Sequence, residues 1–278
     1  MSILPNTAGT GPALPAAPGG GLWLCRDSGR TLAPGVEYRR FSCRTADDLP
    51  VEAYAILVSP DAPADILISA APAGQALTVP EHAARSGRRV LAAVNAGFFH
   101  LASGTMLPYG LLIADGQLLS PHGQDGMRSL YWFGVTRDGT RLISDPDGYT
   151  AHEGQLACAV CGYPYLLRDG RDALSPETML PTDDRENRHP RTAVGLCPDN
   201  TLVILCADGR SEASAGLSYP EIQRLLAAFG CTEGLNLDGG GSTTVLTADG
   251  SGQTGVRNIV SDPELRPVAD AILIAARE

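Results

Sequence analysis

Four stretches of the chain set polar side chains at the ends of apolar runs. "AVNAGFF" closes such a run on Asn95, and Gly97 lets the chain turn before two phenylalanines. "NRHPRTAVG" places His189 and Arg191 on either side of Pro190, just ahead of an apolar run. "LVILCADGRS" leaves one of the most apolar runs on Asp208 and Gly209. "LNLDGGGSTTVL" sets Asp238 before Gly239, Gly240 and Gly241, and follows them with Ser242, Thr243 and Thr244. Each feature alone has an ordinary explanation. Asn95 can satisfy its own turn, Asp208-Gly209 is a common turn pair, and a surface arginine is usually solvated. Together they offer two carboxylates, one arginine with a planar fork that grips phosphate, and a turn stripped of Cβ atoms. The N–H groups of such a turn can face an anion. The set suits a substrate that carries an anion and is attacked by water or by a carboxylate. No H-E-x-x-H, nucleophile elbow or Walker loop is present. The glycine triplet lacks the lysine and following helix of a nucleotide loop.

The elements that must position these residues are mostly strands. Asp115-Gly116, Asp138-Gly139, Asp169-Gly170, Pro198-Asp199-Asn200 and Asp249-Gly250 each separate two apolar runs, the pattern of a tight hairpin. "RVLAAVN" reads as a buried strand ending on Asn95. Two helices interrupt the strands. In "SYPEIQRLLAAFG", Ser218 and Glu221 have capping-box spacing and Pro220 lies in the first turn. Ile222, Leu225, Leu226 and Phe229 form one stripe, and Gly230 ends the helix. In "TVPEHAARSG", Thr78, Pro80, Glu81 and Gly87 take the same roles. The expected class is α+β, with twisted, largely antiparallel sheets built from repeated hairpins and a few helices packed on them.

Composition narrows the setting. The 278 residues are 44% hydrophobic, enough for a substantial core. Residues 1–21 are rich in Pro, Gly, Ala and Thr and read as a loose N-terminal arm. Residues 22–278 show no further linker of that kind and read as one domain. Thirty-one acids against 21 bases give a net charge of −10, which argues against nucleic acid or anionic membrane as a partner. No apolar run of about 18 residues is present, so no membrane span is expected. No basic start followed by an apolar stretch is visible, and a cytoplasmic location is expected. Seven cysteines leave at least one thiol unpaired. Cys158-Ala-Val-Cys161 is a lone C-x-x-C without a second pair. Cys197 and Cys206, on either side of the turn at Asp199-Asn200, miss facing each other by four positions, about 13 Å along the strands. Most of the cysteines therefore read as small buried hydrophobes in a reducing compartment.

In order and in kind, "AVNAGFF", "RTAVG", "LDGGGSTT" and "RPVADAILI" resemble the phosphodiester glycosidase family. "GLLIADGQ" and "GYPYLLRDG" resemble its less distinctive hairpins, and the likeness runs from about Gly35 to Ala275. The chain departs from animal members in lacking their cysteine-rich additions and a visible secretion signal. The resemblance implies hydrolysis of a sugar-1-phosphodiester to free sugar and a phosphate monoester. It implies that Asp238 is nucleophile or base, and that Asp208 orients the sugar or supplies a second carboxylate. Arg191, with the N–H groups around Gly239, Gly240 and Gly241, would hold phosphate, and His189 would stand beside it. Asn95 would bond a sugar hydroxyl or the phosphate, and Ser242 and Thr243 would complete a polar wall. No cofactor or metal is called for, and the partner is a small-molecule or glycan phosphodiester. The oligomeric state is not indicated. The competing reading is a non-catalytic binder of phosphorylated sugars or nucleotide-like ligands.

Overall fold

The computed structural model describes residues 21–102, 105–121, 131–174 and 184–277. The arm expected over 1–21 lies outside them, apart from Gly21.

Turn chemistry sets the hairpins. Asp115 and Gly116 both have positive φ, at 49° and 72°, as do Asp169 and Gly170, at 51° and 71°. These pairs close the hairpins Leu112–Ala114 with Gln117–Ser120, and Tyr165–Arg168 with Arg171–Asp172. Two-residue turns of this kind match the strand twist. The last hairpin departs from expectation in detail. Its left-handed residue is Gly252 at φ 86°, two positions beyond the Asp249-Gly250 pair. There Asp249 accepts from the amides of Ser251 and Gln253, so the acid caps a longer loop.

Every pairing among the described strands is antiparallel, and they form three main sheets and one small hairpin. The largest sheet has eight strands in the spatial order Trp23–Ala33, Val36–Arg44, Pro50–Val58, Leu202–Ala207, Arg191–Leu196, Glu233–Asn236, Tyr165–Arg168 and Arg171–Asp172. A five-stranded sheet runs Thr254–Val256, Val245–Ala248, Val90–Asn95, Asp270–Ala276 and Ala64–Ala70. A second runs Arg141–Ser144, Tyr131–Thr136, Leu156–Gly162, Leu112–Ala114 and Gln117–Ser120.

The period of two decides which side chains meet. Tyr54, Ile56 and Val58 point to one face of the large sheet and pack with Ile68, Val94, Phe133, Val160 and Ile272 of the two smaller sheets. Ala53, Ala55 and Leu57 point to the other face, where helix Tyr219–Ala228 covers them with Ile222, Leu225 and Leu226. Helix Val79–Arg85 closes the outer face of one smaller sheet through Val79 and Ala83. Both helices carry the expected capping boxes at Thr78/Glu81 and Ser218/Glu221.

A third helix, Pro146–His152, escapes the sequence pattern. Asp145 caps it by accepting from the Gly148 amide, but it buries no residue and so has no apolar stripe. The Cys158-x-x-Cys161 pair sits on a strand, and spacing of three sends the two thiols to opposite faces. Five of the seven cysteines are buried. The turn at Asp199-Asn200 pairs Leu196 with Leu202 and places Cys206 opposite Thr192, five positions from Cys197. The sulfur beside Cys197 belongs to Cys231, at 3.9 Å.

Candidate active site

Antiparallel order brings the polar strand ends to one end of the sheets. Arg191 opens a strand opposite Ala207, so Asp208 follows beside it. Asn236 pairs with Ala193, which carries Asp238 just past the same edge. In the neighbouring sheet Asn95 pairs with Ala271, next to Asp270.

A cleft of about 330 Å³ opens at this end. Asp238, Gly239, Gly240, Gly241, His189 and Arg191 line it, together with Phe98, Tyr219, Arg210 and Arg266. Asp238 is partly exposed. Burial pushes its carboxyl up to about 6, against the pull of the Ser242 hydroxyl, of the Gly239 amide, which donates to Oδ1 at 2.9 Å, and of the Arg266 charge. Arg191 is 7% exposed. Its Nε donates to the Leu217 carbonyl at 3.0 Å, another nitrogen donates to Asn187 O at 2.9 Å, and the guanidinium stacks 3.9 Å from the Tyr219 ring centre. These contacts fix the plane of the fork at the cleft wall. Arg210 is exposed, has a left-handed backbone at φ 61°, and has a nitrogen 3.5 Å from His189 Nδ1. Arg266 is held by Asp262 at 2.6 Å. Burial, then the charges of Arg191 and Arg210, hold His189 below its ordinary value, so the imidazole is neutral near pH 7.

The structure places four of the expected groups beside or beneath the cleft. Asp208 is 2% exposed and does not line the cleft. Its Oδ2 accepts from Tyr54 Oη at 2.8 Å and from the Ile259 amide at 3.1 Å, so it anchors the loop after the strand Thr254–Val256. Asn95 is 0% exposed and touches the cleft only through another residue. Its Nδ2 donates to the Asp238 carbonyl at 2.6 Å, and its Oδ1 accepts from Thr192 Oγ1 at 2.8 Å and from the Thr244 amide at 3.2 Å. Ser242 and Thr243 are buried beneath the turn and form no wall of the cleft.

The glycine triplet is the last of these groups. Two of its amides are engaged within the protein: Gly239 N donates to the Asp238 carboxyl, and Gly240 N donates to Pro190 O at 2.9 Å. Each missing Cβ makes room for protein. At Gly239 it would lie 2.6 Å from the Pro190 carbonyl oxygen. At Gly241 it would enter the Asp262–Arg266 pair at 2.2 Å. Gly240 has φ of 60°, and its Cβ would meet the Arg210 guanidinium at 3.1 Å. The triplet folds as one turn of 3₁₀ helix, Gly240–Ser242, packed close between the arginines.

A family model of phosphodiester glycosidases matches residues 88–275, which contain the whole cleft. The chain belongs to the phosphodiester glycosidase family. Among relatives in this family, the N-acetylglucosamine-1-phosphodiester alpha-N-acetylglucosaminidase of Mus musculus is 31% identical over 185 residues, 61% of this chain and 34% of that protein. The chain thus spans about a third of the length of the curated mammalian relatives it matches. The catalytic domain of the zebrafish enzyme of the same name, auto-inhibited by its pro-peptide, superposes with a TM-score of 0.69 at 21% identity, covering 90% of this chain and 88% of that one. A putative exported protein of Burkholderia pseudomallei gives a TM-score of 0.69 at 15% identity, covering 98% and 100%. At these identities the two structures establish the shared fold.

Arg210 and Arg266, which line the cleft, and the buried Asp270 escaped the sequence reading. Arg210 directly follows the Asp208-Gly209 pair, where the turn motif drew notice to the acid alone. Arg266 and Asp270 lie in "RPVADAILI", whose apolar strand masks the polar residues at its entry. A charged residue opening an apolar strand was the available signal for Asp270.

Proposed function

We propose that the chain hydrolyses the glycosidic bond of a sugar-1-phosphodiester. The observation that carries this reading is the cleft itself: one ionisable carboxyl, Asp238, set among the guanidinium groups of Arg191, Arg210 and Arg266. In the reaction the bond between sugar C1 and the phosphate oxygen breaks, and a phosphate monoester leaves with the bonding electrons. Water supplies a hydroxyl to C1 and a proton to solvent or to the leaving phosphate. Arg191 and Arg210 face the charge that grows on phosphate, which supports departure without a strong general acid. Ionised Asp238 stabilises the electron-poor C1, either by bonding to it or by taking a proton from the attacking water. Neutral His189 leaves the phosphate side to the arginines. The names of the mammalian relatives make N-acetylglucosamine the first sugar to test.

The test uses N-acetylglucosamine 1-(methyl phosphate) in ¹⁸O-water. The expected products are free N-acetylglucosamine carrying the label and unlabelled methyl phosphate. Label in the phosphate would mean P–O cleavage and would overturn the glycosidase reading. Binding without turnover across a panel of sugar-1-phosphodiesters would replace it with a binding protein.

A further inference from the structure

A second carboxyl stands behind the first and has no part in the chemistry above. Asp270 begins the strand Asp270–Ala276 and is 1% exposed. The Gly97 amide donates to its Oδ1 at 2.6 Å, while Oδ2 has no hydrogen-bond partner among the described residues. The same short segment holds both acids. Asp238 N donates to Ala96 O at 3.0 Å, Ala96 N donates to the Asp270 carbonyl at 3.3 Å, and Asn95 Nδ2 grips the Asp238 carbonyl. Gly97 has no side chain because a Cβ there would lie 3.2 Å from Asp270 Oδ1 and 2.6 Å from Val160 Cγ2.

The groups facing Asp270 are the Gly97 amide, the Cys161 thiol on the strand Leu156–Gly162, and Asp238. None is a cation. A buried carboxylate with one donor and no counter-charge is unfavourable, so the neutral acid is the stable form. Burial, and then the Asp238 charge, push Asp270 up to about 7; Asp238, partly exposed at the cleft and facing the Arg266 charge, is the acid better placed to carry the negative charge.

We propose that Asp270 is a positioning residue of this site: its neutral carboxyl backs Asp238 without adding a second negative charge, and its ionisation turns the site off. The proton leaves to solvent, and the resulting pair of carboxylates repels the anionic substrate. The proposal rests on the phosphodiester reading of the cleft. Of the other groups at the cleft, His189 titrates below its ordinary value, on the acid side of the limb assigned to Asp270, and the arginines keep their charge.

The experiment compares wild type with Asp270→Asn, which keeps an oxygen for the Gly97 amide. For wild type, kcat/KM should rise through an acid limb near pH 6 and fall above pH 7, approaching tenfold per unit. Asp270→Asn should keep the acid limb and hold a plateau to pH 8.5. Binding of dimethyl phosphate, a monoanion throughout, is measured alongside. Between pH 6.5 and 8.5 its affinity should drop at least fivefold for wild type and less than twofold for the variant. Superimposable profiles in an active enzyme would overturn the role of Asp270 and leave the glycosidase reading intact. Absence of turnover with the expected difference in dimethyl phosphate binding would do the reverse. If the variant does not fold, the carboxyl ¹³C shift of Asp270 in wild type decides: a transition near pH 7 supports the proposal, and one near pH 4 overturns it.

Discussion

Asp270→Asn should make the fold more resistant to alkaline conditions. The carboxyl of Asp270 moves from 3.8, its ordinary value, to about 7 in the folded protein. The unfolded chain therefore releases this proton about three pH units before the native state does. Between those values the native state binds more protons than the unfolded one, so stability falls as pH rises. Each unit is about 1.4 kcal/mol, which gives a penalty of about 4 kcal/mol once pH passes 7. Below pH 4 the penalty is absent. Asparagine removes the titration but places an amide where Oδ2 lies without a partner, at a cost of about 1–3 kcal/mol that does not vary with pH. The difference between the two proteins is the informative quantity, because the other titrating groups are common to both. From pH 4.5 to pH 8 it should move by about 3 kcal/mol in favour of the variant. For a domain of this size that is a relative shift in Tm on the order of 10 °C. Urea unfolding at pH 4.5, 6 and 8 measures it. Parallel stability curves would show that Asp270 ionises near its ordinary value in the folded protein, and the argument from its unpaired Oδ2 would be wrong.

The remaining predictions concern the cleft wall. Asp238→Asn should lower kcat/KM at least a thousandfold, about 4 kcal/mol of barrier, with the fold retained, whereas Asp208→Asn should leave turnover within about threefold and instead lower Tm, through its bonds to Tyr54 and Ile259. Equal losses of activity in the two folded variants would place Asp208 back in the chemistry. Gly239→Ala drives a Cβ against the Pro190 carbonyl oxygen and should destabilise the protein by about 1–3 kcal/mol while moving Asp238; unchanged unfolding and kinetics would show that the turn has slack. Arg191→Lys removes a fork that bonds two backbone carbonyls and stacks on Tyr219, so both Tm and affinity for dimethyl phosphate should fall. A variant that loses neither would make Arg191 a bystander.

What the sequence disclosed and what it hid follow one physical division. Caps and tight turns are local, and Thr78/Glu81, Ser218/Glu221 and the Asp115-Gly116 turn act within a few residues, so their signals can be read directly. The clustering of Asn95, Arg191 and Asp238 was legible because each ends or opens an apolar strand. Which of them reaches the cleft was not, since that depends on what packs against each strand end. Asp208 and Asp238 both follow buried strands, yet Tyr54 from a neighbouring strand captures one, while Asn95 turns the backbone of the other outward. The glycines show the same limit more sharply. From sequence, three absent side chains imply space for a ligand; in the fold the space at Gly239 is filled by a carbonyl from Pro190 and at Gly241 by an ion pair from the loop after Val256. Both intruding groups come from distant parts of the chain. The triplet thus acts at one remove: its missing Cβ atoms leave room for Arg210 at Gly240 and for Arg266 at Gly241, and both guanidinium groups line the cleft with Asp238.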